Sequence, residues 1–103
     1  MTQFAFHLNP GRDSQIPFVL QVQSSRLERM VGRVVIPLIS VCPKSPPDFA
    51  LTPRLTLMGI LVYANPLAMA TISRALLREA VGMLSEPDQD RIVRAIDEMI
   101  SRA

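Results

Sequence analysis

Two short runs, Phe18-Val-Leu-Gln-Val-Gln-Ser24 and Arg33-Val-Val-Ile-Pro-Leu38, most constrain what this chain can become. Val22 between Gln21 and Gln23 alternates apolar and polar, as a half-buried strand does. Val34, Val35 and Ile36 are β-branched and suit a pleated backbone. Pro37 has no N–H to donate, so it is expected to end the ladder or lie on an edge. The chain therefore reads as two strands joined by a charged loop.

The flanking sequence extends that pattern. Gln3–Leu8 reads as a first strand, with Phe4, Phe6 and Leu8 on one face and Ala5 and His7 on the other. Asn9-Pro10-Gly11 is a turn, and Ile16–Gln23 returns as the second strand. Ser24–Val31 is a connector, and Arg33–Ile39 is the third strand. Pro43-Lys-Ser-Pro-Pro47 supports neither ladder nor helix and reads as a surface loop. Arg54–Leu57 and Ile60–Ala64 are short strands around Gly59. The stretch 73–84 is rich in helix formers, and propensity alone predicts helix from about Ser73 to Leu84; the stretch stays open between helix and extended chain, with local helix expected around Arg78–Met83.

The last segment is the best-signalled helix. Ser85 is an N-cap with Asp88 three residues on, and Pro87 sits in the first turn. Glu86, Asp88 and Asp90 place negative charge at the positive end of the helix dipole. Ile92, Ala95, Ile96, Met99 and Ile100 recur on one face, giving a helix over about Glu86–Ile100. Asp90–Arg94 and Arg94–Glu98 are spaced to form ion pairs on the outer face. The expected class is thus mainly β with a C-terminal helix, in one domain over residues 1–103.

The search for chemistry is unproductive. His7, the single histidine, lies mid-strand and reads as a surface or hydrogen-bonded residue. Phosphate-loop, dinucleotide, zinc-protease and serine-hydrolase motifs are all missing from the sequence. Cys42, the single cysteine, lacks ligand-spaced neighbours; it reads as an apolar filler or an exposed thiol, in keeping with a reducing cytosol. No cofactor, metal or catalytic residue is implied, and the chain is expected not to be an enzyme.

A net charge of +2 is too weak to argue for direct nucleic-acid binding, and Arg26, Arg29 and Arg33 read as a solvated cluster around one loop. The apolar-rich stretch Leu55–Ile72 is broken by Thr56, Gly59, Asn65, Pro66 and Thr71, so no membrane span and a cytoplasmic location are expected. Hydrophobic residues make up 49% of the chain against 19% charged, which points either to a greasy core or to apolar surface covered by a partner.

The ordered set of segments resembles the CcdB family, toxins of type II toxin–antitoxin modules. The two opening runs match its "FVDVQS … R-x-V-I-P-L" signature. Gln3-Phe4, Leu51-Thr-Pro53 with Leu55-Thr-Leu57, Met69-Ala70, Leu84-Ser85 and Ala95-Ile96 follow at the family's spacing. The resemblance implies an SH3-like antiparallel β structure with a C-terminal helix, and a strand near Ala68–Ile72. It implies a homodimer that binds the A subunit of DNA gyrase and traps the enzyme on cleaved DNA. A cognate CcdA-like antitoxin would neutralise it, and operator DNA would be met only through that complex.

By position, the resemblance assigns gyrase contacts to Ser24, Arg26, Leu27, Asp97, Ile100, Ser101, Arg102 and Ala103. It assigns antitoxin contacts to Ser24, Ser25, Arg26, Leu27, Glu28 and Asp97. A two-fold interface is expected from Phe18, Val34, Ile36, Ile96, Met99 and Ile100. Two departures stand out. Arg26 replaces an aliphatic contact, and the family's Trp-Gly-Ile tail is here Ser101-Arg102-Ala103. Losing a Trp-like anchor costs about 2–4 kcal/mol of binding, roughly 30- to 1000-fold. The alternative reading is therefore a non-toxic homologue that keeps the antitoxin but has lost gyrase poisoning.

Overall fold

The structure, a computed structural model, describes residues 3–102. Seven antiparallel strands form one curled sheet: β1 (Ala5–Leu8), β2 (Phe18–Gln21), β3 (Gly32–Ser40), β4 (Arg54–Leu57), β5 (Ile60–Ala64), β6 (Ala70–Ser73) and β7 (Gly82–Met83). A single helix, α1 (Glu86–Ile100), follows. The expected class, mainly β with a C-terminal helix, is what the molecule adopts.

The long strand β3 organises the sheet. On one edge it pairs with β2, placing Leu20 opposite Ile36 and Phe18 opposite Leu38. On the other edge it pairs with two strands in series: β6 along Gly32–Val35 and β5 along Leu38–Ser40. Path order is β4-β5-β3-β2-β1-β7, with β6 lying off it against β3.

That arrangement corrects the expectation for Pro37, which lies inside a central strand. Residues 36 and 37 are bare along the second edge, between the end of β6 pairing and the start of β5 pairing. The missing N–H deprives no strand there, and the Pro37 carbonyl accepts from the Asn65 amide at 3.3 Å. The β4–β5 turn is Met58-Gly59, both at positive φ (51° and 77°), as the tight twisted hairpin turn requires.

Alternation then sorts the side chains. Phe6, Phe18, Leu20, Ile36, Leu38, Leu55, Leu57, Val62 and Ala64 face α1 and form the core with Leu84 and Ile92. Phe6 and Phe18 meet edge to face at 5.3 Å. The opposite face of β1–β3 carries Ala5, His7, Val19, Gln21, Arg33 and Val35, all buried as well.

The region 73–84 differs from the helix its composition predicts. The chain makes a 3-10 turn at Arg74–Leu76, capped by the Ser73 hydroxyl, runs without regular structure, and adds β7 to the edge of β1. Phe6 sits opposite Gly82, and the amides of Val81 and Leu84 donate to the carbonyls of Phe6 and Phe4 at 2.9 and 3.0 Å. Tertiary pairing outweighs local propensity here. The strand expected at Ala68–Ile72 forms at Ala70–Ser73, after a 3-10 turn at Pro66–Ala68 that Asn65 caps.

The helix runs as its signals require. Ser85 Oγ accepts from the Asp88 amide at 3.4 Å, and Ile92 and Ala95 are fully buried. The expected pairs through Arg94 do not form; among the described residues Arg91 carries the ion pairs, to Asp48 at 3.2 Å and Asp88 at 3.7 Å.

Candidate interaction surface

The connector Ser24–Val31 is held from below by a network that begins in the strands. Gln23 donates to the carbonyls of Leu27 (3.1 Å) and Gly32 (3.3 Å) and accepts from the Val34 amide (3.2 Å). Arg33 is 6% exposed and meets no carboxylate. Its guanidinium donates to the carbonyls of Met30 (2.6 Å), Gly32 (3.2 Å) and Glu28 (2.7 Å). Arg33 thus belongs to the interior, not to the solvated cluster its charge suggests. Reading it so required knowing that the loop folds back over its side chain.

Ser24 caps the 3-10 turn Ser25–Leu27 by accepting from the Arg26 amide at 3.2 Å. Ser24 and Ser25 are half-buried, and the Ser25 hydroxyl oxygen is buried without a partner. Arg26, Leu27 and Glu28 are exposed. At the other candidate region, Asp97, Ile100, Ser101 and Arg102 are exposed, and the Ser101 amide closes the helix on the Glu98 carbonyl at 3.5 Å. Ala103 lies outside the described residues. No hydrogen bond or ion pair joins the loop to the helix end among the described residues.

The residues expected at a two-fold interface divide. Phe18 and Ile36 lie in the subunit's own core at 2% and 0% exposure, so their side chains have no surface to offer; they alternate toward α1. Val34, Ile96 and Met99 are half-buried and Ile100 is exposed.

A further feature escaped sequence reasoning. An apolar groove of about 490 Å³ opens on the sheet face away from α1. Val19, Val35, Pro37, Ala70 and Ile72 floor it, and the Asn9–Gly11 turn is part of its lining. The available signal was the unbroken apolar run Val34-Val35-Ile36, which marks a strand covered on both faces.

His7 is buried on that face. Its Nδ1–H donates to the Arg78 carbonyl at 2.7 Å, and its Nε2 accepts from the Gln21 amide at 2.7 Å. Both ring nitrogens are engaged by neutral groups, a structural arrangement with neither nucleophile nor carboxylate. Cys42 is exposed; the Ser45 hydroxyl donates to its sulfur at 3.6 Å and holds the thiol below its ordinary pKa. Among the described residues no group of three His, Cys, Asp or Glu is placed to hold a metal, and no helix is long and apolar enough to cross a membrane.

The two candidate regions thus present a braced loop with exposed apolar tips and a helix end with Asp97, Ile100, Ser101 and Arg102 exposed. The sequence model of the family described as CcdB protein matches residues 3–101. No curated protein matches the chain.

Proposed function

The chain belongs to the CcdB family, toxins of toxin–antitoxin systems, and on that premise we propose that it inhibits DNA gyrase by binding the A subunit as a homodimer. A CcdA-like antitoxin neutralises it, and operator DNA is met only through that complex. It works in the cytoplasm and by contact, not catalysis. The observation that carries the reading is the family match over nearly the whole chain. The exposed loop Arg26–Glu28 and the exposed helix-end residues Asp97, Ile100, Ser101 and Arg102 support it, because both positions are open to a macromolecule. Phe18 and Ile36 drop out of the proposed two-fold interface, which falls to Val34, Ile96, Met99 and Ile100.

Expression without an antitoxin should arrest growth and leave gyrase-cleaved DNA. Normal growth, with supercoiling by the host's own gyrase unaffected by purified protein, removes gyrase poisoning. One observation favours a second reading. Ser101 and Arg102 stand where the family carries Trp and Gly, so the apolar anchor is gone. A homologue that binds antitoxin without poisoning gyrase would be captured by antitoxin in a pull-down yet leave growth normal.

A further inference from the structure

The hairpin of β4 and β5 reaches past the body of the sheet. Pairing between β3 and β5 ends where Ser40 meets Val62, and one further bond runs from the Val41 amide to the Leu61 carbonyl at 3.2 Å. Beyond it the ribbon pairs with itself, Leu57 opposite Ile60. Met58, Ile60 and Leu61 are 67%, 39% and 45% exposed. Ile60 and Leu61 are consecutive on a strand and point to opposite faces, so the tip is uncovered on both. Met58 is doubly unfavourable where it stands. Its φ of 51° suits Gly or Asn and strains a long side chain, and that side chain gains no burial in return.

The groove on the sheet face away from α1 has the complementary character. An apolar cavity of about 150 Å³ holds benzene. The groove's volume of about 490 Å³ is therefore room for roughly three aliphatic side chains. Among the described residues Asn9 contributes the one polar side chain of the lining, and it is already engaged. Its Oδ1 accepts from the Gly11 amide at 2.9 Å, and its Nδ2 donates to the Asp13 carbonyl at 3.5 Å.

Charge decides what can fill such a groove. The lining carries no ionisable side chain, and none occurs from Leu55 to Ser73, the run that holds the hairpin tip. The tip can enter the groove without stranding a charge away from water. Within one chain the two do not meet. Val35 and Pro37 floor the groove, whereas the ribbon continues beyond Val41, away from them along the line of β3.

We infer that the apolar tip Met58, Ile60 and Leu61 docks in the groove of a second copy of this chain. The two patches differ, so the contact is head to tail, and copies can add into rings or open chains. It is separate from the two-fold surface proposed above, since Val34, Ile96, Met99 and Ile100 neither line the groove nor belong to the hairpin. It stands whether or not the chain poisons gyrase.

Sedimentation velocity on the full chain tests it. From about 5 to 500 µM the weight-average mass should rise about twofold or more above its value in dilute solution. Met58→Asn with Leu61→Ser relaxes the turn and removes the apolar tip, and should abolish the rise. Ala70→Glu, at an exposed position in the lining, should do the same. Should that variant fail to fold by circular dichroism, Leu76→Glu, 58% exposed in the same lining, takes its place. Met83→Ser, at a 49% exposed apolar position on β7, should leave the rise intact. Mixing the hairpin variant with the groove variant brings an intact groove and an intact hairpin together, so the mixture should associate although neither variant does alone. A mass that stays constant over the range overturns the contact. A rise that survives the hairpin or the groove variants, or is lost in Met83→Ser, or a mixture that keeps its dilute mass, overturns the pairing of hairpin with groove.

Discussion

Replacing Gly82 with Ala tests the edge of the sheet that composition conceals. A Cβ at Gly82 would stand 2.7 Å from Cε1 of Phe6 and 3.3 Å from Cε2, with Cζ closer still. The ring cannot swing clear, because it is 4% exposed and set at 74° against Phe18. Nor can the β7 backbone retreat without losing the bonds from Val81 and Leu84 to the carbonyls of Phe6 and Phe4. Overpacking of this kind costs about 1–3 kcal/mol, and a disturbed aromatic pair about 0.5–1.5 kcal/mol more. A loss near 2–3 kcal/mol corresponds to a melting temperature roughly 10–20 °C lower for a domain of this size. Thermal unfolding followed by circular dichroism, at one protein concentration, reads the change. Phe6→Leu in the same chain should relieve the clash, so the double-mutant cycle should couple by about 1 kcal/mol or more. A Gly82→Ala protein melting within about 2 °C of the parent, or an additive cycle, would refute the placement of the ring over the glycine.

Three other outcomes follow from single features. Ser85→Ala removes the acceptor for the Asp88 amide and should cost about 1 kcal/mol, seen as a melting temperature about 4–8 °C lower. Cys42 should alkylate with iodoacetamide with a pH midpoint below that of an unperturbed cysteine, since the Ser45 hydroxyl favours the thiolate; Ser45→Ala should move the midpoint upward. Restoring Trp-Gly-Ile at Ser101, Arg102 and Ala103 should strengthen inhibition in a gyrase supercoiling assay by roughly 30- to 1000-fold if the tail alone is lacking. An unchanged inhibitory concentration would place the anchor elsewhere.

Local chemistry accounts for what was legible. β2 and β3 carry β-branched and alternating residues, Gly59 marks a hairpin turn, and Ser85 with Pro87 sets the start of α1. The illegible parts depend on partners distant in sequence. β7 exists because Gly82 accepts the Phe6 ring from 76 positions away, which no helix propensity in the stretch reveals. Pro37 is tolerated centrally only because two different strands share one edge of β3. Arg33 reads as solvated until the loop lies over it. Phe18 and Ile36 look free for a partner in the sequence because alternation gives two faces without saying which one a helix will cover. For the candidate site the sequence offers positions only through the family resemblance, whereas the exposure of Met30 and Val31 and the apolar groove needed coordinates.

The composition leaves a greasy core and a covered surface as alternatives, and the topology favours the second. A sheet with apolar residues on both faces of β2 and β3 needs two coverings, but the described residues supply one α-helix. On the other face the connection after β6 reaches His7 through the Arg78 carbonyl, and beside it the floor of Val19, Val35 and Ile72 stays open as a groove. Leu27, Met30, Val31, Leu67, Leu76 and Ile100 are at least half exposed as well. Burying each would gain about 1.5–3 kcal/mol, a gain the monomer's own chain does not collect. A groove of about 490 Å³ with an almost wholly apolar lining is surface that a covering partner would bury at a gain.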